Sequence, residues 1–236
     1  MLLYLIRHGD PIYDPDGLTE LGLRQAEAVG KRLAQHGLDK VFVSTSERAK
    51  RTAKPTCELL KLRPTELEWC HEENAWRYFS VPSDDCERTW LFFAGAFRDA
   101  LLSPAGKRED WYCDPAFAGF PFREGVEFFK KNTAEFLHTL GFDYDAATGQ
   151  YKINEPPFER VALFAHQGFS MAFLSTVLRI PYPVFSSRFD VNHSGVTVLH
   201  WDTRHDCCFP KIIALSDCGH LYADGLPTKF ANSFYY

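Results

Sequence analysis

Short apolar runs that alternate with amphipathic segments limit the fold of this chain more than any other feature of its sequence. The runs LLYLI (2–6), VFVS (41–44) and RVALFA (160–165) are too short for helices and are typical of strands covered on both faces. After each run comes a segment whose apolar residues have helical spacing. This alternation predicts an α/β fold, a three-layer αβα sandwich with a mostly parallel central sheet.

Capping residues indicate where the first two helices begin and end. In the segment LTELGLRQAEAVGKRLAQHG, Thr19 is a candidate N-cap and Gly37 a candidate stop. In STSERAKRTA, Ser44 and Glu47 have the spacing of a capping box, which predicts that a second helix follows directly.

Two further regions complete the predicted domain. The runs GVTVLHW (195–201) and KIIALSD (211–217) indicate strands near an edge of the sheet. Residues 74–125 are crowded with aromatic residues and favour a satellite helical core, a lid over the end of the sheet, or both. We therefore predict one domain, residues 1–236, with an aromatic-rich helical insertion at 74–125 that acts as a lid.

Charge and hydropathy argue against several classes of partner. The formal net charge is -5 and no Lys- or Arg-rich run is present, so nucleic acid is not an expected partner. No apolar run approaches the ~20 residues of a membrane span, and the start MLLYLI is shorter than the core of a typical signal peptide. We expect a cytoplasmic protein without a membrane partner, and a homodimer is left open.

The cysteines and histidines do not follow a metal-binding pattern. The chain has 7 cysteines, an odd number, with no CxxC pair and no HExxH motif. Scattered cysteines of this kind fit a reducing compartment better than a disulfide framework. We therefore expect no metal ion and no cofactor.

Cationic side chains follow three of the predicted strands. Arg7, His8 and Gly9 come directly after LLYLI. His166 comes directly after RVALFA, and Arg48 lies in the first turn of the helix after VFVS. The carboxyl ends of parallel strands are where open α/β folds bind ligands, and helix N-termini favour anions. Two imidazoles and two guanidiniums at such ends predict a site for a tetrahedral oxyanion.

The ordered motifs LIRHG, LTELGLRQA, STSERAKRTA and the late strand-His-Gly element resemble the histidine phosphatase superfamily, which includes phosphoglycerate mutase. The resemblance covers most of the chain. It implies that His8 attacks phosphorus and is transiently phosphorylated, while Arg7, Arg48 and His166 bind the phosphate. The attacking nitrogen must carry no proton, so we expect a backbone acceptor to hold the other ring nitrogen as N–H.

The resemblance also implies a general acid, a glutamate just after the third strand. The segment TELEWCHEENAW alternates like a strand before it reaches Glu72 and Glu73. The register favours Glu72, with Glu73 as the alternate. In the same register, Trp69 and His71 are expected to lie elsewhere.

Two positions depart from the family pattern. The late motif is HQG where the family commonly has HG, so Gln167 is expected to contact the phosphate through its backbone N–H and, secondarily, its amide. Asp14 stands near a place where relatives often carry Asn. Its carboxylate would repel a phosphate unless it is protonated or turned away.

The favoured function is a metal-independent phosphatase that hydrolyses a small-molecule phosphomonoester through a phosphohistidine intermediate. A phosphoglycerate mutase-like phosphoryl-transfer enzyme is the first alternative. A non-catalytic protein that binds a phosphorylated ligand is the second.

Overall fold

The computed structural model describes residues 1–231 and 234–235, with the side chains of residues 1–228. Within that part the strands are β1 Leu2–Arg7, β2 Pro11–Tyr13, β3 Asp16–Leu18, β4 Lys40–Ser44, β5 Thr65–Leu67, β6 Ser80–Pro82, β7 Arg88–Trp90, β8 Phe142–Asp145, β9 Gln150–Ile153, β10 Arg160–Ala165, β11 Val196–His200, β12 Cys207–Cys208, β13 Lys211–Asp217, β14 Lys229–Ala231 and β15 Phe234–Tyr235. The α-helices are α1 Glu20–Ala34, α2 Glu47–Leu60, α3 Glu72–Phe79, α4 Arg98–Leu102, α5 Phe122–Thr139, α6 Gln167–Leu178, α7 Tyr182–Ser186 and α8 Gly219–Ala223.

The central sheet has six strands in the order β13-β11-β1-β10-β4-β5. The four strands β1, β10, β4 and β5 run parallel, and β11 and β13 run antiparallel at one side. Arg7 of β1 lies opposite Ala165 of β10, so these two strands end level with each other. Because β11 is reversed, its first residue Val196 lies opposite Ile6 near the end of β1. The loop that enters β11 therefore lies at the same edge of the sheet as the ends of the parallel strands.

Helices cover both faces of the sheet, as the alternation predicts. Helices α1 and α2 bury their apolar sides on one face, in a cluster that includes Ile6, Val29, Val41, Ala53 and Phe164. Helices α5 and α6 cover the other face, in a larger cluster that includes Leu3, Leu5, Phe42, Phe136 and Phe173. The predicted three-layer α/β fold with a mostly parallel sheet is confirmed.

The insertion at 74–125 folds into short helices, 3-10 turns and the β6-β7 ribbon. Its buried rings, among them Trp111 and Phe117, belong to the same apolar cluster as the sheet residues Leu5 and Phe42. Phe79 stacks on Tyr182 of α7, with 4.2 Å between ring centroids. The expectation of a separate satellite core is therefore wrong, because these rings extend the main core instead of forming their own.

Helix α1 begins as expected, because the Thr19 side chain accepts from the N–H of Gly22. The predicted capping box of α2 is wrong. Ser46 is the N-cap, accepting from the N–H of Ala49, and Ser44 remains the last residue of β4.

The predicted edge strands GVTVLHW and KIIALSD correspond to β11 and β13. In the described residues, no helix combines the length and apolarity that a membrane crossing requires.

Candidate active site

The ends of β1 and β10 bring His8 and His166 together. These residues directly follow two neighbouring parallel strands that end level, and their ring centroids lie 5.3 Å apart. Arg48 approaches from the first turn of α2, on the far side of β10. The sequence-based expectation that these strand ends meet is thus matched by the geometry.

His8 has the tautomer that a nucleophile needs. Its Nδ1 lies 2.7 Å from the carbonyl oxygen of Gly9, which can only accept, so Nδ1 carries the proton and Nε2 presents a lone pair. The ring is buried, with 3% of the residue exposed. Burial lowers the pKa of His8 well below its usual value, and the nearby His166, Arg7 and Arg48 lower it further. The ring is therefore neutral at pH 7.

Gly9 is required because the turn after β1 passes directly against the first turn of α1. A Cβ at this position would lie 2.7 Å from the backbone oxygen of Gly22, closer than real Cβ contacts allow. The N–H of Gly9 donates to Oγ1 of Thr52 at 3.0 Å. The Thr52 hydroxyl in turn donates to the carbonyl of Arg48, at 2.7 Å. The turn after β1 is thus tied to both α1 and α2.

Arg48 is engaged by a carboxylate from the β2-β3 hairpin. Its Nη1 donates to Oδ1 of Asp16 at 2.7 Å, and the backbone N–H of Glu47 donates to Oδ2 of the same residue at 2.7 Å. Asp14, the position expected to affect the phosphate, is exposed. The carboxylate of this hairpin that reaches Arg48 is therefore that of Asp16, two residues further along the chain.

His166 is fully buried and contacts two hydroxyl groups, one at the end of β4 and one at the N-cap of α2. Its Nε2 lies 2.8 Å from Oγ of Ser44 and 3.3 Å from Oγ of Ser46. Burial lowers the pKa of His166 well below its usual value, with Arg48 and His71 acting in the same direction. The Ser44 hydroxyl therefore contacts His166 at the site. It does not cap α2, although its spacing from Glu47 predicts a capping box.

Glu72 reaches the same edge of the sheet from the start of α3. Its carboxylate accepts from the backbone N–H groups of Gly168 at 2.9 Å and Phe169 at 3.1 Å, in the first turn of α6. Burial raises the pKa of Glu72, while these two N–H groups, Arg48 and Arg7 act in the opposite direction. The side chain of Glu73 is 88% exposed. The two candidate acids thus differ sharply in position, because Glu72 is half-buried at the site and Glu73 is exposed.

Gln167 is the first residue of α6, where its backbone N–H has no partner within the helix. Its side-chain nitrogen donates to both carboxylate oxygens of Asp190, at 2.7 and 2.8 Å. Burial raises the pKa of Asp190, although Gln167 and the N–H of Val191 lower it. The amide is therefore committed to Asp190 in this structure, and the backbone N–H is the group suited to an anion.

A cavity of about 310 Å³ opens at this edge of the sheet. It is lined by Asp16, Arg48, His71, Glu72, Glu73 and Trp76. The expectation that His71 lies away from the site is wrong. The strand β5 ends at Leu67, and the chain then turns so that His71 becomes the N-cap residue of α3. Its ring centroid lies 6.1 Å from that of His166.

The insertion forms part of the wall around this cavity. Trp76 of α3 lines it, and the Trp76 ring packs edge-on against that of Trp90, with 4.8 Å between centroids. Trp90 lies over Gly168, where an added Cβ would come within 2.1 Å of the indole ring. Glycine at 168 thus lets an indole of the insertion cover the start of α6.

A second set of site residues enters from the loop before β11 and was missed from the sequence. Nη1 of Arg7 donates to the carbonyl of Val191 at 2.7 Å, and Nη2 lies 2.9 Å from Nε2 of His193. Apolar periodicity identified the strand, but only its antiparallel direction places the preceding loop beside Arg7. Among the described residues, no group of three or more His, Cys, Asp or Glu side chains could hold a metal ion.

Comparisons with known proteins agree with this geometry. Residues 3–100 match the model of the histidine phosphatase superfamily (branch 1). A comparison with curated proteins finds no match. A solved phosphoserine phosphatase from Entamoeba histolytica, in complex with 3-phosphoglyceric acid, is 18% identical, with 93% of this chain and 98% of that chain covered and a TM-score of 0.59.

Two mycobacterial structures match this chain with comparable identities, coverages and TM-scores. A glucosyl-3-phosphoglycerate phosphatase is 21% identical, with 92% of this chain and 99% of that chain covered and a TM-score of 0.58. A protein described as mycobacterial hydrolase 1 is 20% identical, with 92% and 98% covered and a TM-score of 0.57. At these identities the likeness establishes the fold. The match to the histidine phosphatase superfamily model spans residues 3–100, so similarity to that family is shown for this part of the chain.

Proposed function

We propose that this protein hydrolyses a small-molecule phosphomonoester through a phosphohistidine formed on His8. The observation that carries the proposal is the 2.7 Å contact between Nδ1 of His8 and the carbonyl of Gly9, which leaves Nε2 unprotonated. A neutral imidazole fixed in this tautomer, buried among two guanidiniums and a second imidazole, is suited to attack a phosphorus atom.

Positive charge in the pocket supplies the stabilisation that phosphoryl transfer needs. Arg7 and Arg48 would bind the equatorial oxygens of the phosphoryl group, and His166 and the backbone N–H of Gln167 would complete the pocket. Guanidinium groups can take this role without a metal ion. Removing one such preorganised donor typically lowers the rate by ~10²–10³.

In the first step, Nε2 of His8 forms a bond to phosphorus as the bond to the leaving oxygen breaks. Glu72, in its protonated form, gives its proton to that oxygen, so the alcohol leaves neutral. Burial raises the pKa of Glu72, which favours the protonated form. The carboxyl group is held in place by the N–H groups of Gly168 and Phe169.

In the second step, a water molecule attacks the phosphohistidine. Glu72, now a carboxylate, takes a proton from the water as the new P–O bond forms and the P–N bond breaks. His8 is regenerated as a neutral ring, Glu72 is protonated again, and inorganic phosphate leaves. The wall formed by Trp76 and Trp90 supports our proposal that residues 74–125 act as a lid that encloses the leaving group.

The proposal is tested by assaying release of inorganic phosphate from an aryl phosphate and from a panel of phosphorylated metabolites. The panel should include phosphoserine and glucosyl-3-phosphoglycerate, the compounds named for two similar structures. We expect wild-type turnover without added metal, and His8→Ala should lose it. His205→Ala, which changes an exposed histidine, is the matched control and should keep full activity.

Two outcomes would overturn the proposal. One is hydrolysis at the wild-type rate by His8→Ala. The other is a wild-type protein that releases no phosphate from any compound of the panel. Phosphoryl exchange between substrates that strictly requires a bisphosphorylated primer would instead identify a mutase.

A further inference from the structure

A line of buried polar groups runs from Arg7 to the start of α1. Nη2 of Arg7 lies 2.9 Å from Nε2 of His193, and Nδ1 of His193 lies 3.3 Å from Oδ1 of Asp10. The other carboxylate oxygen of Asp10 accepts from the Thr19 hydroxyl at 2.8 Å. His193 and Asp10 are only 1% and 4% exposed.

The protons along this line can be assigned from the donors. A guanidinium can only donate, so Nε2 of His193 accepts from Arg7, and the proton of the neutral ring is on Nδ1. Nδ1 lies 3.3 Å from Oδ1 of Asp10, and the negative charge of this carboxylate stabilises the tautomer with the proton on Nδ1 over the other. Thr19, the N-cap of α1, fixes the carboxylate in turn.

We propose that His193 is a positioning residue that holds the guanidinium of Arg7 in the plane needed to bind phosphate, and that Asp10 sets the tautomer of His193. The inference rests on the proposed function, because it assigns Arg7 to the phosphate. Together, the carbonyl of Val191 and the ring of His193 accept from the two terminal nitrogens of Arg7, so one loop binds both of them.

The loop that carries His193 is itself fixed to the end of β1. The backbone N–H of Ser194 donates to the carbonyl of His8 at 3.1 Å, and the N–H of Arg7 donates to the carbonyl of Gly195 at 3.3 Å. His193 therefore has a defined position relative to both Arg7 and His8. Its ring centroid lies 5.7 Å from that of His8.

The proposal is tested with two amide substitutions that differ in where the acceptor lies. The amide of His193→Gln can place an oxygen near the position of Nε2, whereas His193→Asn reaches only the position of Nδ1. The Kd of inorganic phosphate, measured by titration calorimetry, should stay within about twofold of wild type for His193→Gln. For His193→Asn it should rise about tenfold, the effect expected for loss of a hydrogen bond to a charged group.

The control is His220→Asn, which changes another buried histidine, bonded to Ser194 and not to Arg7. Its phosphate affinity should equal that of wild type at matched thermal stability. Equal phosphate affinity of His193→Asn and wild type would overturn the inference, as would equal loss in His193→Asn and His220→Asn. If neither His193 variant folds, Asp10→Asn tests the inference instead. An unchanged Kd for phosphate in that variant would overturn it.

Failure of the proposed function gives a different result. A wild-type protein that binds phosphate but does not hydrolyse phosphomonoesters would refute the proposed reaction and leave the Kd comparison intact. A wild-type protein that does not bind phosphate at all would overturn both.

Discussion

The carboxylate of Asp16 lies 2.7 Å from Nη1 of Arg48. It forms an ion pair with the same guanidinium group that, in the proposed mechanism, binds the phosphate. It also accepts from the N–H of Glu47 at the start of α2, so it sits where a helix N-terminus would favour an anion. A phosphate that binds to Arg48 must therefore compete with Asp16 or share the guanidinium with it.

We expect Asp16→Asn to bind inorganic phosphate about two- to fivefold more tightly than wild type, since a partly exposed ion pair contributes up to about 1 kcal/mol. Asp14→Asn is the matched control, because it removes the same charge from an exposed position of the same hairpin. Calorimetric titration with phosphate measures both. Weaker binding by Asp16→Asn would mean that Asp16 orients Arg48 and does not compete for it.

Glu72→Gln should lower kcat/KM, which reports phosphoryl transfer to His8, by about 10²–10⁴ for alkyl phosphates, because the leaving alkoxide then receives no proton. The loss of kcat/KM should be smaller for a nitrophenyl phosphate, whose leaving group needs no protonation. Glu73→Gln, at an exposed position, should retain wild-type rates. Equal losses for both leaving groups in Glu72→Gln would contradict the assignment of Glu72 as the acid.

Gly9→Ala should destabilise the fold, because its Cβ would meet the backbone oxygen of Gly22 at 2.7 Å. Overpacking of this kind typically costs about 1–3 kcal/mol in the free energy of unfolding. Gly149→Ala is less suitable as a control because its φ is +73°, whereas Gly95→Ala meets no atom within 4 Å and should be nearly neutral. Urea denaturation compares the variants, and equal midpoints for Gly9→Ala and wild type would refute the close packing.

Acidification should reduce the contribution of His220 to stability. Burial is the largest cause that lowers the pKa of His220 from 6.5 to about 4. Above pH 6.5 neither the folded nor the unfolded state binds this proton. Between about pH 6.5 and 4, the unfolded state binds it and the folded state does not, so the free energy of unfolding falls as pH falls.

The stability of wild type relative to His220→Asn should therefore be constant above pH 7 and should decline between pH 6.5 and 4. Comparison of the two proteins removes the contributions of titrating groups that both retain. Urea denaturation at pH 7.5, 6 and 5 measures the difference. A difference that stays constant or grows on acidification would contradict the lowered pKa.

Much of the fold could be predicted from the sequence because its signals are local. Continuous apolar runs define the parallel strands, and the residues that follow them, Arg7, His8 and His166, must then lie at one edge of the sheet. The register of β1 and β10 confirms that these two strands end together. The N-cap of α1 could also be predicted, because the Thr19 side chain bonds to the N–H of Gly22, only three residues along the chain.

The missed parts depend on backbone geometry that periodicity does not encode. His71 reaches the cavity because β5 ends at Leu67, so the alternation of later residues no longer describes a strand. Asp16, and not Asp14, reaches Arg48 because the β2-β3 hairpin turns between them. His193 depends on the antiparallel direction of β11. In each case the error is in how the chain turns.

The most direct test of the central claim is to trap the phosphorylated protein during turnover. Glu72→Gln, which should slow removal of the phosphoryl group, is mixed with a nitrophenyl phosphate, quenched in alkali and analysed by peptide mapping. The expected result is one phosphoryl group on Nε2 of His8, the nitrogen left free by the contact of Nδ1 with Gly9. Turnover with no phosphoryl group on His8, or with one on another residue, would contradict the account.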